Sequence, residues 1–129
     1  MEKLWSKAWK ASTQARKQRK YVHKAPLHIL HKLMAAPISK DLKKDLGIRS
    51  VIVKKGDEVK VMSGQFKGVT GKVTKVSLAN KFVHVEGAEL TRADATKSLY
   101  PIHPSNLMIV KLNLDDKLRK EKIERNKKK

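Results

Sequence analysis

The chain has no cysteine. Disulfide staples and thiolate metal sites are thereby excluded, and the composition fits a reducing compartment. Aromatic side chains are scarce, with two each of Trp, Tyr and Phe in 129 residues, so any core must be mainly aliphatic. No apolar run approaches the roughly 18 residues of a membrane span. The first twenty residues are too charged for a secretory signal and too rich in lysine for a transit peptide. Acid is the other shortage, with 12 Asp and Glu against 31 Lys and Arg and a net charge of +19. The imbalance is uneven. Residues 1–55 hold 15 cations against 3 acids, residues 56–112 hold 8 against 5, and residues 113–129 hold 8 against 4. A nearly neutral middle can fold without self-repulsion while basic flanks track phosphates, which is the charge layout of a polyanion binder.

This length supports one domain with extensions. Residues 1–24 form a basic N-terminal arm. At its start, Leu4, Trp5, Ala8 and Trp9 share one stripe of a helix over 2–12 that is too short to persist without a partner. Residues 13–24, TQARKQRKYVHK, have no apolar period and no acid, and predict an extended arm, disordered when free. Residues 25–50 read as short helices packing on the β domain. Pro26 suits a first helical position, and Leu27, Leu30, Leu33 and Met34 fall on one face. Ser39 suits an N-cap, Asp41 a first turn and Gly47 a C-terminal cap, giving a second helix over 40–46 that buries Leu42 and Leu46.

From residue 51 to residue 112 the period becomes that of strands. Val51 and Val53 alternate with Ile52, and Val59 and Val61 with Lys60. Gly64, Gly68 and Gly71 punctuate a turn. Val69, Gly71 and Val73 share one parity while Val76 and Leu78 share the other, which predicts a bulge near residues 74–75. Residues 79–81 read as a turn, 82–86 as a strand, 87–104 as a long loop with Pro101 and Pro104, and 106–112 as a last strand. Residues 113–129 form a basic tail, helical from Asp115, with Leu118 and Ile123 its large apolar residues. About five short strands with Gly turns make the fold mainly β, a small β-barrel with a basic arm, short helices and a helical C-terminal tail.

Chemistry-bearing patterns are few. Residues 16–32 crowd Arg16, Lys17, Arg19, Lys20, His23, Lys24, His28, His31 and Lys32 together with no acid, and Tyr21 is interleaved. Mutual repulsion makes an external anion the natural compensation. Arginines can fork onto phosphate oxygens and lysines act as point charges. His28 and His31 share a helical face, but no third ligand lies near in sequence, so RNA contact or plain exposure outweighs a metal site. The spacing from Gly64 to Gly71 is two residues too long for a P-loop, and Val73 stands where the hydroxyl is needed. No paired carboxylates sit in an apolar setting, and there is no nucleophile elbow. Neither a catalytic site, a metal, a cofactor nor a small-molecule substrate is expected.

The distinctive segment is residues 55–87, KGDEVKVMSGQFKGVTGKVTKVSLANKFVHVEG. Its Gly-Asp-x-Val-x-Val strand, Gly64-x3-Gly68-x2-Gly71 loop and following strands resemble a KOW motif, the hairpin element of SH3-like barrels. In that loop Gly68 can take positive φ and lets another backbone or an RNA strand approach closely. Lys67 and Lys72 reach outward, while Gln65 and Phe66 offer an amide and a stacking ring. The flanks extend the likeness. They are the basic run from Gln14 to Lys20, Ala-Pro-Leu-His from Ala25 with His31 and Lys32, then Ser39 and Leu42. After the motif comes Pro104-Ser-Asn-Leu-Met-Ile-Val with Leu112-Asn-Leu. In this order they resemble the large-subunit ribosomal protein L-twenty-four family in its archaeal and eukaryotic form, over roughly residues 13–125.

That resemblance implies an SH3-like barrel that binds large-subunit ribosomal RNA near its 5′ end, by the exit tunnel. It also implies neighbouring large-subunit ribosomal proteins as partners, a role in subunit assembly, and a cytoplasmic location on the ribosome. It assigns RNA contact to Arg16, Lys17, Arg19, Lys20, Tyr21, His23, Lys24, His28, His31, Lys32, Gly64, Gln65, Lys67, Gly68 and Lys72. Two other classes remain open at this point. A KOW-type transcription elongation or chromatin factor would carry a further folded domain. A nucleic-acid hydrolase would need an acidic cluster that this chain does not offer.

Overall fold

The computed structural model describes residues 5, 6, 9 and 11–127; the start of the arm at Leu4, Ala8 and its lysines, and the last two lysines, lie outside the described residues. The chain runs α1 (Ala15–Lys24), α2 (Leu27–Leu33), β1 (Ala35–Pro37), α3 (Lys40–Leu46), β2 (Ser50–Ile52), β3 (Glu58–Val61) and β4 (Thr70–Ser77). It continues through β5 (Phe82–Thr91), β6 (Lys97–Ile102), a 3-10 turn (Pro104–Asn106), β7 (Leu107–Lys111) and α4 (Lys117–Lys127). Five strands make one antiparallel sheet in the order β6-β5-β4-β3-β7, and β1 and β2 make a second, two-stranded sheet. The outer strands β6 and β7 do not pair with each other, so the larger sheet stays open rather than closing as a barrel. The small sheet joins it at β7, where the Ser39 N–H donates to the Ile109 carbonyl at 2.9 Å.

The core is aliphatic, as so few aromatics require. Val59, Val61, Val73, Val83, Val85, Leu107 and Ile109 point inward from the sheet against Met34, Ala36, Ile38 and Val53. Alternation sets this arrangement: Val59 and Val61 are buried and Lys60 between them is exposed. The parity switch in β4 is resolved by a register shift between Val73 and Lys75, the bulge that the valine spacing predicts. There the Thr74 hydroxyl donates to the His84 carbonyl at 3.1 Å. Helix α3 starts on Ser39, whose hydroxyl accepts from the Leu42 N–H, and ends on Gly47 at φ 65°.

Five expectations need correction. Leu42 and Leu46 of α3 are half-buried rather than buried. Residues 13–24 are not extended, because α1 occupies most of them. In α2 the buried side is Leu30 and Met34, whereas Leu27 is 61% and Leu33 44% exposed. The 3.6-residue period carries Leu33 about 100° round the helix from Met34, whereas Leu27 shares the face of Leu30 and Met34 and is exposed at the first position of the helix. Pro26 is the N-cap of that helix rather than its first residue. Residues 87–104 are not a long loop but mostly the β5–β6 hairpin, with β5 passing through Gly87 at φ 91° and an irregular register between His84 and Glu89. Pro101 is tolerated because β6 is an edge strand with no second neighbour to receive an N–H.

A buried ion pair ties α4 to the sheet. Asp57 is fully buried just before β3, and Arg119 is 6% exposed. The guanidinium grips the carboxylate with both terminal nitrogens, at 2.6 and 2.7 Å. The backbone N–H groups of Lys54 and Asn113 each donate to it at 2.9 Å. The same guanidinium donates to the carbonyls of Ile52 and Asn113. Asp116 opens α4, accepting from the Leu118 N–H at 3.1 Å and from Lys54 Nζ at 2.5 Å. The lysine hydrogen bond holds its carboxyl below the usual range.

Removing one member of a buried pair strands the other without solvent. Arg119→Met should therefore cost about 3–5 kcal/mol in chemical denaturation. Adding Asp57→Leu to it should cost less than the sum of the two single changes. Single variants of wild-type stability would show that the pair contributes nothing.

Candidate nucleic-acid interface

Helix α1 sorts its side chains by charge. At 100° per residue, Arg16, Lys17, Arg19, Lys20, His23 and Lys24 fall on one broad arc, and Gln14, Gln18, Tyr21 and Val22 on the opposite one. The cationic arc is exposed, while Tyr21 and Val22 are half-buried. Trp9 packs on Tyr21 with ring centroids 4.8 Å apart, and Trp5 packs on the same ring at 5.2 Å. Below the rings, Gln18 Nε2 donates to the Ser12 carbonyl at 2.6 Å and the Gln14 N–H to the Ser12 hydroxyl at 3.2 Å. Tyr21, expected to contact RNA, thus already packs against both indoles. The signal for this helix was the Gln14–Gln18–Tyr21–Val22 spacing, which is helical but too polar to register as an apolar period.

Four ion pairs occur among the described residues, and all of them use cations from residue 54 onward. The cations of α1 and α2 therefore have no acidic partner among the described residues. His28 and Lys32 are exposed on α2, and His31 is half-buried. His31 borders one groove with Lys54, Lys55 and Lys75 and another with Lys54 and Lys122. Lys55, Lys75 and Lys122 extend the basic surface beyond the residues singled out from sequence, whereas Lys54 is held by Asp116. The three lie far apart in the chain, and only the fold brings them near His31.

The glycine loop is at the other end of the β3–β4 hairpin. Residues Gly64, Gln65, Lys67 and Gly68 are exposed. Gly64 and Gly68 have φ of 98° and 92°. Nothing lies within 4 Å of where a Cβ would stand on either, so left-handed backbone rather than close approach explains both glycines. Close approach belongs to Gly71, where a Cβ would collide with the Glu86 carbonyl. Phe66 does not offer a free ring. It turns inward onto Tyr100 at 5.0 Å and borders a small cavity with Phe82 and His103. Lys72 faces Glu58 across the ladder, and Glu58 sits 3.6 Å from Lys111, so its field is partly met by acid, unlike that of Lys67. Since β4 is roughly 23 Å long, the loop and the His31 groove at its two ends are separate contact points, not one pocket. Such an arrangement can grip an extended polyanion at several places.

Residues 12–126 match the family model for ribosomal proteins L26 eukaryotic, L24p archaeal. The chain is also similar to the large ribosomal subunit protein uL24 of Pyrobaculum islandicum. The two are 48% identical over 117 residues, covering 91% of this chain and 95% of that protein.

Gly68→Val should destabilise the protein by roughly 1–3 kcal/mol in urea unfolding, because a β-branched residue resists positive φ. Gly68→Asn should cost less, since Asn tolerates that region. Wild-type stability and RNA affinity in the valine variant would remove any special role for this position.

Proposed function

The chain belongs to the family of ribosomal proteins L26 (eukaryotic) and L24p (archaeal), and from that premise we propose that it is a structural constituent of the large ribosomal subunit, binding large-subunit ribosomal RNA. The observation that carries this reading is the cationic face of α1, continued through α2, with no acidic counterion among the described residues. Phosphates supply what the protein withholds. Arg16, Lys17, Arg19, Lys20, His23 and Lys24 make the first contact surface. His28, His31 and Lys32 make the second, and Gly64, Gln65, Lys67, Gly68 and Lys72 the third. Tyr21 contributes by fixing α1 rather than by stacking on a base. In this reading the five-stranded sheet is an SH3-like barrel left unpaired at one seam, spanning residues 51–112. Residues 1–24 are the RNA-binding arm, 25–50 dock on the barrel and 113–129 brace it.

The contact region is the 5′ portion of the large-subunit RNA, by the exit tunnel, with other ribosomal proteins as neighbours. The protein acts in subunit assembly in the cytoplasm, by binding rather than by catalysis. An elongation-factor role has less support. The family match runs through the basic arm, the Ala25–Pro26 element and the tail as well as the KOW segment.

Affinity of this kind is salt-dependent. Neutralising about 10 phosphates gives a fall in K of about 10⁵ between 50 and 200 mM salt. Combining Arg16→Ala, Arg19→Ala and Lys20→Ala should flatten the plot of log K against log salt by about 2–3. The measurement is filter binding to a 5′-domain transcript, with heparin as a competitor of equal charge. An unchanged slope, or no preference for the transcript over heparin, would refute the assignment.

A further inference from the structure

Helix α1 is poorly equipped to exist alone. It has ten residues, a length at which isolated helices are marginal in water. Its first turn contains no acid and instead places Arg16 and Lys17 at the positive end of the helix dipole. Gln14 makes no side-chain cap. Like charges repel at both i,i+3 and i,i+4 spacings, as in Arg16 with Arg19 and Lys20, Lys17 with Lys20, and Lys20 with Lys24. No residue of α1 is fully buried, so the core of the sheet does not hold it either. What covers its uncharged side is Trp5, Trp9 and residues 11–13. Trp5 and Trp9 lie upstream of the family match, which begins at residue 12.

We propose that Trp5 and Trp9 are positioning residues: by clasping Tyr21 they hold α1 helical before RNA arrives and so aim its cations at the phosphates. The inference rests on the RNA-binding reading above and adds to it two residues that lie before the segment matched by the family model. Electrostatics determines which face is free, because the indoles occupy the only arc without charge. A helix folded in advance does not lose affinity to ordering. If the helical population falls to a tenth, the apparent Kd rises tenfold.

The test compares wild-type full-length protein with the Trp5→Ala/Trp9→Ala double variant. Neither Trp belongs to the buried core, so thermal unfolding of the sheet should be unchanged. Amide hydrogen exchange should show lost protection over residues 18–24. Affinity for the 5′-domain transcript should weaken about tenfold or more, with the salt slope unchanged because the same phosphates are met. Phe at both positions should restore protection and affinity together. Retained protection in the double variant overturns the proposal, and so does lost protection with wild-type affinity. Weakened affinity with protection intact also overturns it, since that would mean the indoles touch RNA themselves. If the wild-type protein fails to bind the transcript at all, the functional reading falls, whereas binding that survives the double substitution sinks the clasp alone.

Discussion

The Asp57–Arg119 pair is the contact on which the rest of the architecture depends. An ion pair out of water is favourable only when most of its remaining donors and acceptors are used. Here the carboxylate accepts from two backbone amides as well as the guanidinium, and the guanidinium spends its terminal nitrogens on two further carbonyls, leaving only Nε buried without a partner. One side-chain pair thereby joins the end of β2, the turn into β3, the segment after β7 and α4. Asp57 also belongs to the sheet through its backbone, since its carbonyl accepts from the Val73 N–H at 2.9 Å. The clasp therefore fixes where β3 begins, and with it the parity that sends Val59 and Val61 inward. Gly56 completes the fit, because a Cβ there would press on the Asn113 side-chain amide at 2.5 Å.

The same chemistry explains the lopsided charge. Acids with a partner are used within the sheet and its C-terminal brace: Asp57 with Arg119, Asp116 with Lys54, Glu58 with Lys111 and Glu89 with Lys97. The folded middle therefore tolerates its own lysines. Helices α1 and α2 receive no such compensation among the described residues, and their lysines and arginines stay exposed in an ordered array. Order matters as much as charge. A cationic chain that is already helical offers its phosphate contacts without first losing conformational entropy.

How much of this was legible in the sequence depended on the range of the determining contact. Ser39, Asp41 and Gly47 marked α3 because caps act within four residues. The valine parity gave the β4 bulge because pleating is local. Helix α1 was missed since its stabilising face is made of Gln14, Gln18, Tyr21 and Val22, and its partners sit upstream in a separate segment. The β5–β6 hairpin was hidden by Gly87 and Pro101, residues that read as loop unless the strand is known to be bent and at an edge. Asp57 stood in the Gly-Asp-x-Val-x-Val pattern with nothing to mark it as buried, and Arg119 looked like one more tail cation. Sixty-two residues separate them, and no local pattern announces their pairing. Of the contact surface, the cations were legible individually. Their division into an α1–α2 face and a distant glycine loop, and the inward turn of Phe66, needed the fold.

The account stands or falls on whether the exposed cations of α1 meet RNA in the particle. Lysine acetylation read by mass spectrometry, on free protein and on isolated large subunits, tests this directly. Lys17, Lys20 and Lys24 should react readily in the free protein and be protected in the subunit, with protection lost on ribonuclease digestion. Equal reactivity of these three lysines in both states would contradict the central claim.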